Sequence, residues 1–183
     1  KIHGPKGIGA SYIHPRVRWE PFMPESSQER GFRAGTVDVP AVVAFATAAR
    51  KISSEQERRY EKVKTLKTSF IDKLRELAGD AVHIEGDPGS DSPYICGLRV
   101  HGMEGQFAML QCSQNGIAIS TGSACQINEQ KPSATMLAMG YDEEEAKQFF
   151  RFSFDASVTQ HQVLKAAGIL AGLLNTHLER VNA

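Results

Sequence analysis

The stretch at positions 149–154, Phe149-Phe150-Arg151-Phe152-Ser153-Phe154, decides the fold. Successive side chains of a strand point to opposite faces, so the alternation predicts a strand with three phenylalanines on one face. Arg151 and Ser153 then lie on the other face. The stretch therefore predicts a sheet with one packed face.

The sequence also contains two long helical patterns, one before this strand and one after it. The first carries apolar residues at steps of three and four, which is typical of a helix with one buried side. Its stripe consists of Val63, Leu66, Phe70, Leu74 and Leu77, and Gly79 follows it. The second opens with the capping-box pattern Thr159-x-x-Gln162. Its stripe consists of Val163, Ala167, Leu170, Leu174, His177 and Val181.

Shorter elements lie between these two helices. We expect an edge strand at 82–85, a strand at 94–100, a helix at 105–114, a short buried strand at 116–119, an exposed loop at 120–132 and helical pieces at 133–139 and 142–148. Together with the long helices they predict an α+β domain from about residue 52 onward.

The first part of the chain has a different character. Residues 1–38 are rich in turn-forming glycine and proline, with one short strand expected at 10–13. A buried helix is expected at 41–50, with Pro40 in its first turn. Ser54-x-x-Glu57 is a second capping-box pattern, opening the next helix. We therefore predict a boundary that separates residues 1–51 from residues 52–183.

Composition excludes several classes of protein. The 183 residues are 41% hydrophobic and 23% charged, which is typical of a globular protein and excludes a disordered or collagen-like chain. Lys plus Arg equals Asp plus Glu at 21 each, so no charge excess points to nucleic acid or an anionic membrane. No apolar run reaches membrane-spanning length, and no signal peptide is visible. Because the chain opens on Lys1 rather than Met, we expect it to be part of a longer protein.

The three cysteines divide into two kinds. An odd number at wide spacing favours reduced thiols and a cytoplasmic location rather than a disulfide scaffold. Cys96 and Cys112 lie in apolar strand and helix patterns, where free cysteine is usually an inert small hydrophobe. Cys125 ends the polar run Ser120-Thr121-Gly122-Ser123-Ala124-Cys125, which offers the exposure that a reactive thiol needs. Taken alone, a loop cysteine could equally be unremarkable. The scattered histidines and cysteines do not favour a metal site.

Two further segments could bind anions. Arg151 could grip a carboxylate through two hydrogen bonds, or form an ordinary surface ion pair. Arg33-Ala34-Gly35-Thr36 offers a cation and a hydroxyl beside a glycine, which suits a phosphate or an ordinary turn. Gly4-Pro5-Lys6-Gly7-Ile8-Gly9 lacks the spacing of either standard phosphate loop and favours a tight turn.

Taken together, these motifs resemble the C-terminal half of the cysteine desulfurases, NifS/IscS-like enzymes of the class V aminotransferase group. The resemblance spans essentially the whole chain. Four segments carry it in the family's order: Lys1-Ile2-His3-Gly4-Pro5-Lys6-Gly7-Ile8-Gly9, Gln28-Glu29-Arg30-Gly31-Phe32-Arg33-Ala34-Gly35-Thr36, Ser120 to Cys125, and Arg151-Phe152-Ser153.

The resemblance implies a fold, a cofactor and a role for each site residue. The fold would be α/β and PLP-dependent transferase-like, with the end of the large PLP domain at 1–51 and a small α+β domain at 52–183. Lys1 would bind pyridoxal 5'-phosphate (PLP) covalently and act in catalysis. Thr36 would reach the PLP phosphate of the partner subunit in a homodimer. Arg151 would bind the carboxylate of L-cysteine, and Cys125 would take its sulfur as a persulfide.

The resemblance also implies the biological setting. The persulfide sulfur would pass to a protein acceptor in iron–sulfur cluster or thio-cofactor and tRNA biosynthesis, with no membrane and no direct nucleic-acid binding. Another class V PLP enzyme, such as an aminotransferase or selenocysteine lyase, remains an alternative, as does a non-catalytic sulfur-carrier or dimerisation fragment. Because the family's N-terminal half supplies most PLP contacts, we expect residues 1–183 alone to be inactive and to retain no PLP.

Overall fold

The computed structural model describes residues 2–21, 23, 27–87, 90–121 and 132–181, with side chains of the last helix described up to residue 177. The chain divides into two compact units, residues 1–56 and residues 57–183. The assignment of the first unit to the end of a large PLP domain stays a prediction.

The first unit is irregular up to one helix, α1 (Val39–Ser54). The Asp38 carboxylate begins the helix by accepting a hydrogen bond from the Ala41 backbone N–H at 3.1 Å. The predicted burial of this helix is wrong, because none of its residues is buried. The predicted strand at 10–13 is also wrong. No strand forms among the described residues of this unit, so that segment has no neighbour to pair with.

The second unit begins its fold with α2 (Gln56–Ala78). The predicted stripe is confirmed at Val63, Phe70 and Leu74, which are completely buried, and is wrong at its last member, Leu77, which is exposed. The helix ends before Gly79, which takes a positive φ of 55°. The predicted capping box at Ser54 is wrong, because the Ser54 hydroxyl instead donates to the Lys51 carbonyl in the last turn of α1.

The described residues form a sheet of four antiparallel strands, in the spatial order β1-β2-β4-β3. They are β1 (Val82–Glu85), β2 (Ile95–Val100), β3 (Ser120–Thr121) and β4 (Phe150–Ser153). The predicted edge strand at 82–85 is confirmed, because β1 is the outermost strand of the described sheet and pairs there with β2. The predicted strand at 116–119 is shifted to β3. The Ile117 N–H closes the preceding helix on the Cys112 carbonyl at 2.9 Å and does not join the sheet.

Helices complete the second unit. They are α3 (Gly105–Gln114), α4 (Ala134–Ala138), α5 (Glu143–Lys147) and α6 (Gln160–Val181), close to the predicted positions. The Thr159 capping box is confirmed in both directions: its N–H donates to Gln162 Oε1 at 2.9 Å, and its hydroxyl accepts from the Gln162 N–H at 3.3 Å.

One apolar core joins the long helices to the sheet. Phe70 on α2 packs against Phe152 and Phe154, with ring centroids 4.7 and 5.4 Å apart. Leu170 and Leu174 on α6 belong to the same core and are completely buried. The alternation at 149–154 is confirmed, since its phenylalanines at 150, 152 and 154 are buried while Arg151 and Ser153 are exposed. The helices therefore cover one face of the sheet and leave Arg151 on the other.

Candidate functional site

Arg151 stands in the middle of β4 on the face of the sheet that the core does not use. Its cross-strand neighbours are Gly97 on β2 and Ser120 on β3. Because Phe150 and Phe152 anchor the strand in the core, a slip of one residue would turn Arg151 inward. Burial of the phenylalanines thus fixes the position of this cation.

The Arg151 guanidinium has no partner among the residues that the structure describes, in contrast to Arg99 on the same face. Arg99 donates through Nε to Glu85 and through Nη1 to Glu145 at 3.0 Å. It also lies over the Tyr141 ring, with 4.4 Å between Cζ and the ring centroid. Arg99 therefore ties α5 to the sheet, while Arg151 is available to bind an anion.

The pairing of Ser120 with Arg151 connects this cation to the cysteine segment. Ser120 and Thr121, the first two residues of the motif that ends at Cys125, form β3 beside it. Cys125 itself and the rest of the predicted loop, 122–131, lie outside the described residues. Four peptide links join Thr121 to Cys125, which limits their Cα separation to about 14 Å. The fold thus brings the Arg151 motif and the start of the Cys125 motif together.

The other two cysteines are buried, as the sequence predicted. Cys96 on β2 is 1% exposed and Cys112 on α3 is fully buried, and both thiols are free. Burial raises the pKa of each thiol from 9.0 to about 11. Neither thiol is therefore suited to act as a nucleophile near neutral pH.

The contrast between these two buried thiols and Cys125, in its polar sequence, predicts the order of alkylation by iodoacetamide. At pH 8 a thiol of pKa about 11 has roughly a hundredfold less thiolate than one of ordinary pKa, and burial slows access further. Cys125 should therefore label at least about a hundredfold faster than Cys96 or Cys112, as read by peptide mass spectrometry. In urea the three rates should become similar. Labelling of Cys96 or Cys112 as fast as Cys125 in native buffer would contradict this account.

A second group of predicted residues meets in the first unit. A cavity of about 650 Å³ is lined by Gly7 and Gly9 from the first motif and by Arg33 and Thr36 from the second. Gly35, with a φ of 103°, lets the backbone turn there, and a Cβ at this position would lie 3.5 Å from Nη1 of Arg33. A guanidinium and a hydroxyl at one glycine turn are the donors that a phosphate requires. Lys1 lies outside the described residues.

Sequence reasoning missed the backbone conformation beside this cavity. Glu29 and Arg30 take positive φ angles of 49° and 57°, and Gly31 follows at 84°. Left-handed conformation in two successive non-glycine residues costs roughly 1–2 kcal/mol each and is concentrated at functional sites. Glu29 also lines the cavity. Gly31 was the only sequence signal of this turn.

The described residues give no support to a metal site or a membrane span. No group of three or more His, Cys, Asp or Glu side chains there could hold a metal ion. No helix among them is long and apolar enough to cross a membrane. The predicted cytoplasmic location stays a prediction.

Comparison with known proteins identifies the family. The family Aminotransferase class-V matches residues 1–165, which is most of the chain. The chain belongs to this family. Its PLP-dependent transferase-like fold is shown by a solved structure titled NifS-like protein, with a TM-score of 0.80 and 26% identity, over 96% of this chain and 44% of that one.

Curated relatives are similar to this chain over most of its length. NifS of Bacillus subtilis (strain 168) is 45% identical over 165 residues, which cover 89% of this chain and 42% of the relative. Cysteine desulfurase IscS of Rickettsia bellii (strain OSU 85-389) is 34% identical, over 96% of this chain and 42% of the relative. The chain thus spans about two fifths of the length of these relatives.

Proposed function

We propose that the protein containing this chain is a PLP-dependent cysteine desulfurase, which converts L-cysteine to L-alanine and leaves the sulfur on Cys125 as a persulfide. The observation that carries the proposal is the cross-strand pair of Ser120 and Arg151. It puts the Arg151 guanidinium, which has no partner in the described ranges of the chain, beside the start of the segment that bears Cys125. Class V membership and the cysteine desulfurase name of the IscS relative support the same reading.

The residues of the first unit fit the cofactor. Thr36 and Arg33 would hold a cofactor phosphate at the glycine turn. Lys1 would bind its own subunit's cofactor covalently and move protons at the substrate Cα. When bound, PLP supplies an electron sink for the negative charge that develops on that carbon. We propose that Thr36 serves the cofactor of the partner subunit in a homodimer.

The residues of the second unit would orient the substrate and receive the sulfur. Arg151 binds the cysteine carboxylate in bidentate fashion, which fixes its orientation. The Cys125 thiolate attacks the substrate sulfur, so that the S–S bond forms while the substrate C–S bond breaks. The electron pair of that bond stays on carbon, which takes up the thiol proton, and the persulfide keeps the negative charge. L-Cysteine plus thiolate thus gives L-alanine plus persulfide, and the outer sulfur passes to a protein acceptor.

The direct test incubates the full-length protein, loaded with PLP, with L-cysteine and a thiol reductant. The proposal requires L-alanine and sulfide to appear in equal amounts and to depend on Cys125. Transfer of the amino group to an oxo acid without Cys125 would indicate an aminotransferase instead, and activity confined to selenocysteine would indicate a selenocysteine lyase. We expect residues 1–183 alone to be inactive.

Substitution of Thr36 tests the phosphate site. Because a hydrogen bond to a charged group contributes about 1.5–3 kcal/mol, Thr36→Ala should raise the Kd for PLP at least about tenfold. Thr36→Ser keeps the hydroxyl and should bind nearly normally. Absorbance titration of the full-length apoprotein measures both. Thr47→Ala is a matched control, because the Thr47 hydroxyl donates to the Val43 carbonyl within α1. If Thr36→Ala bound PLP as tightly as the unaltered protein, the role of Thr36 in phosphate binding would be excluded.

A further inference from the structure

Glu85, Gly97 and Arg151 form one row across three neighbouring strands. Glu85 pairs with Gly97 in the β1–β2 register, and Gly97 pairs with Arg151 in the β2–β4 register. Two strand spacings put the Cα atoms of Glu85 and Arg151 roughly 10 Å apart. A glutamate and an arginine can bridge that distance on one sheet face, and a glycine between them leaves the path open.

The Phe149 ring occupies the path. A Cβ placed on Gly97 would lie 2.8 Å from Cε2 and 3.4 Å from Cζ of this ring, and 3.1 Å from Cβ of Glu85. The ring edge therefore rests directly on the Gly97 backbone, beside Glu85. Phe149 immediately precedes β4, and its ring lies where the side chain of Gly97 would point. Because Gly97 pairs with Arg151, that is the face of the sheet that carries Arg151.

The backbone of Phe149 is also held in place. Its carbonyl oxygen lies so close to the first residue of α3 that a Cβ on Gly105 would be only 2.3 Å from it. Because Gly105 has no side chain, the Phe149 carbonyl can approach it closely. Because Gly97 has none, there is room for the Phe149 ring. Two glycines from separate elements accommodate one phenylalanine.

Glu85 is a carboxylate with which Arg151 could form an ion pair. Its side chain is 9% exposed and already accepts hydrogen bonds from Arg99 and, at 2.8 Å, from the Tyr141 hydroxyl. A carboxylate has room for more than two donors. Arg151 nevertheless has no ion-pair partner in the described part of the chain.

We propose that Phe149 is a positioning residue: its ring blocks the path over Gly97 between Arg151 and Glu85. The guanidinium of Arg151 then stays available to a substrate carboxylate and is not consumed by an internal ion pair. The importance of this for catalysis rests on the proposed function, whereas the separation of the two charges is a property of the sheet itself.

Phenylglyoxal labelling of the 183-residue chain tests the separation without any cofactor. Phe149→Ala opens the path, so Arg151 should pair with Glu85 and label about three- to fivefold more slowly, a size suited to a partly exposed ion pair. Adding Glu85→Gln removes the competing charge and should restore the rate. Phe149→Leu still covers Gly97 and should label like the unaltered chain. Peptide mass spectrometry reads Arg151 separately from Arg99.

Thermal melts identify the variants that fold, and Phe149→Val replaces Phe149→Ala if the latter does not. An unchanged Arg151 rate in the folded variant, or slowing that Glu85→Gln does not reverse, overturns the proposal. In the full-length enzyme Phe149→Ala should raise the KM for cysteine, and adding Glu85→Gln should restore it, with little change in kcat. The labelling of Arg151 could change as predicted while Arg151→Ala leaves the KM for cysteine unchanged. In that case the proposed function fails, and the role of Phe149 in separating Arg151 from Glu85 stands.

Discussion

Arg151→Ala should raise the KM for L-cysteine about a hundredfold in the full-length enzyme, with a much smaller effect on kcat. Removing one partner of a hydrogen-bonded charge pair costs about 2–5 kcal/mol when the bound substrate shields the pair from water, and about 2.7 kcal/mol corresponds to a hundredfold change. The effect falls on KM because the carboxylate is bound in both the ground state and the transition state. Steady-state kinetics over a range of cysteine concentrations measures it.

Two further variants make the result specific. Arg151→Lys keeps the charge but loses the fork of donors, so it should recover only part of the affinity. Arg75→Ala removes an exposed arginine in the last turn of α2 and should leave the KM unchanged. An unchanged KM in Arg151→Ala would contradict the assignment of Arg151 to the substrate carboxylate.

The second unit could be predicted well because its elements have strong periodic patterns. The alternation at 149–154 predicted which face of β4 is buried, and therefore that Arg151 is exposed. The α2 stripe predicted the burial of Phe70, and the apolar context of Cys96 predicted an inert thiol. In each case one local pattern determines burial, because a strand or helix repeats its exposure with a fixed period.

The features that sequence reasoning missed depend on contacts between distant residues. Nothing local to Phe149 shows that its ring rests on Gly97, which is more than fifty positions away in the chain. The pair of Arg99 and Glu85 depends in the same way on the β1–β2 register. The strand predicted at 10–13 failed for a related reason, since a short apolar run becomes a strand only beside a partner.

The sequence motifs and the register of the sheet each contributed to the location of the candidate site. Motif order along the chain pointed to Cys125 and Arg151 as separate groups. The antiparallel register then added that Ser120, at the start of the cysteine motif, lies next to Arg151. Pairing across the sheet therefore supplies a spatial reason for the two motifs to act on one substrate.

Cys125→Ser should lower alanine formation from L-cysteine by at least about a hundredfold, because a hydroxyl cannot replace the thiolate that attacks the substrate sulfur. PLP binding should be unaffected, since the change lies outside the cofactor residues. Cys96→Ala and Cys112→Ala are matched controls: they remove buried thiols, so they should cost some stability and keep the activity.

The most direct measurement of the central claim is mass spectrometry of the full-length enzyme after one turnover with sulfur-labelled L-cysteine and no reductant. The account predicts one labelled sulfur atom on the peptide that contains Cys125, none on those of Cys96 and Cys112, and one L-alanine released for each persulfide formed. Alanine release without labelled sulfur on Cys125, or labelled sulfur on either buried cysteine in its place, would contradict it.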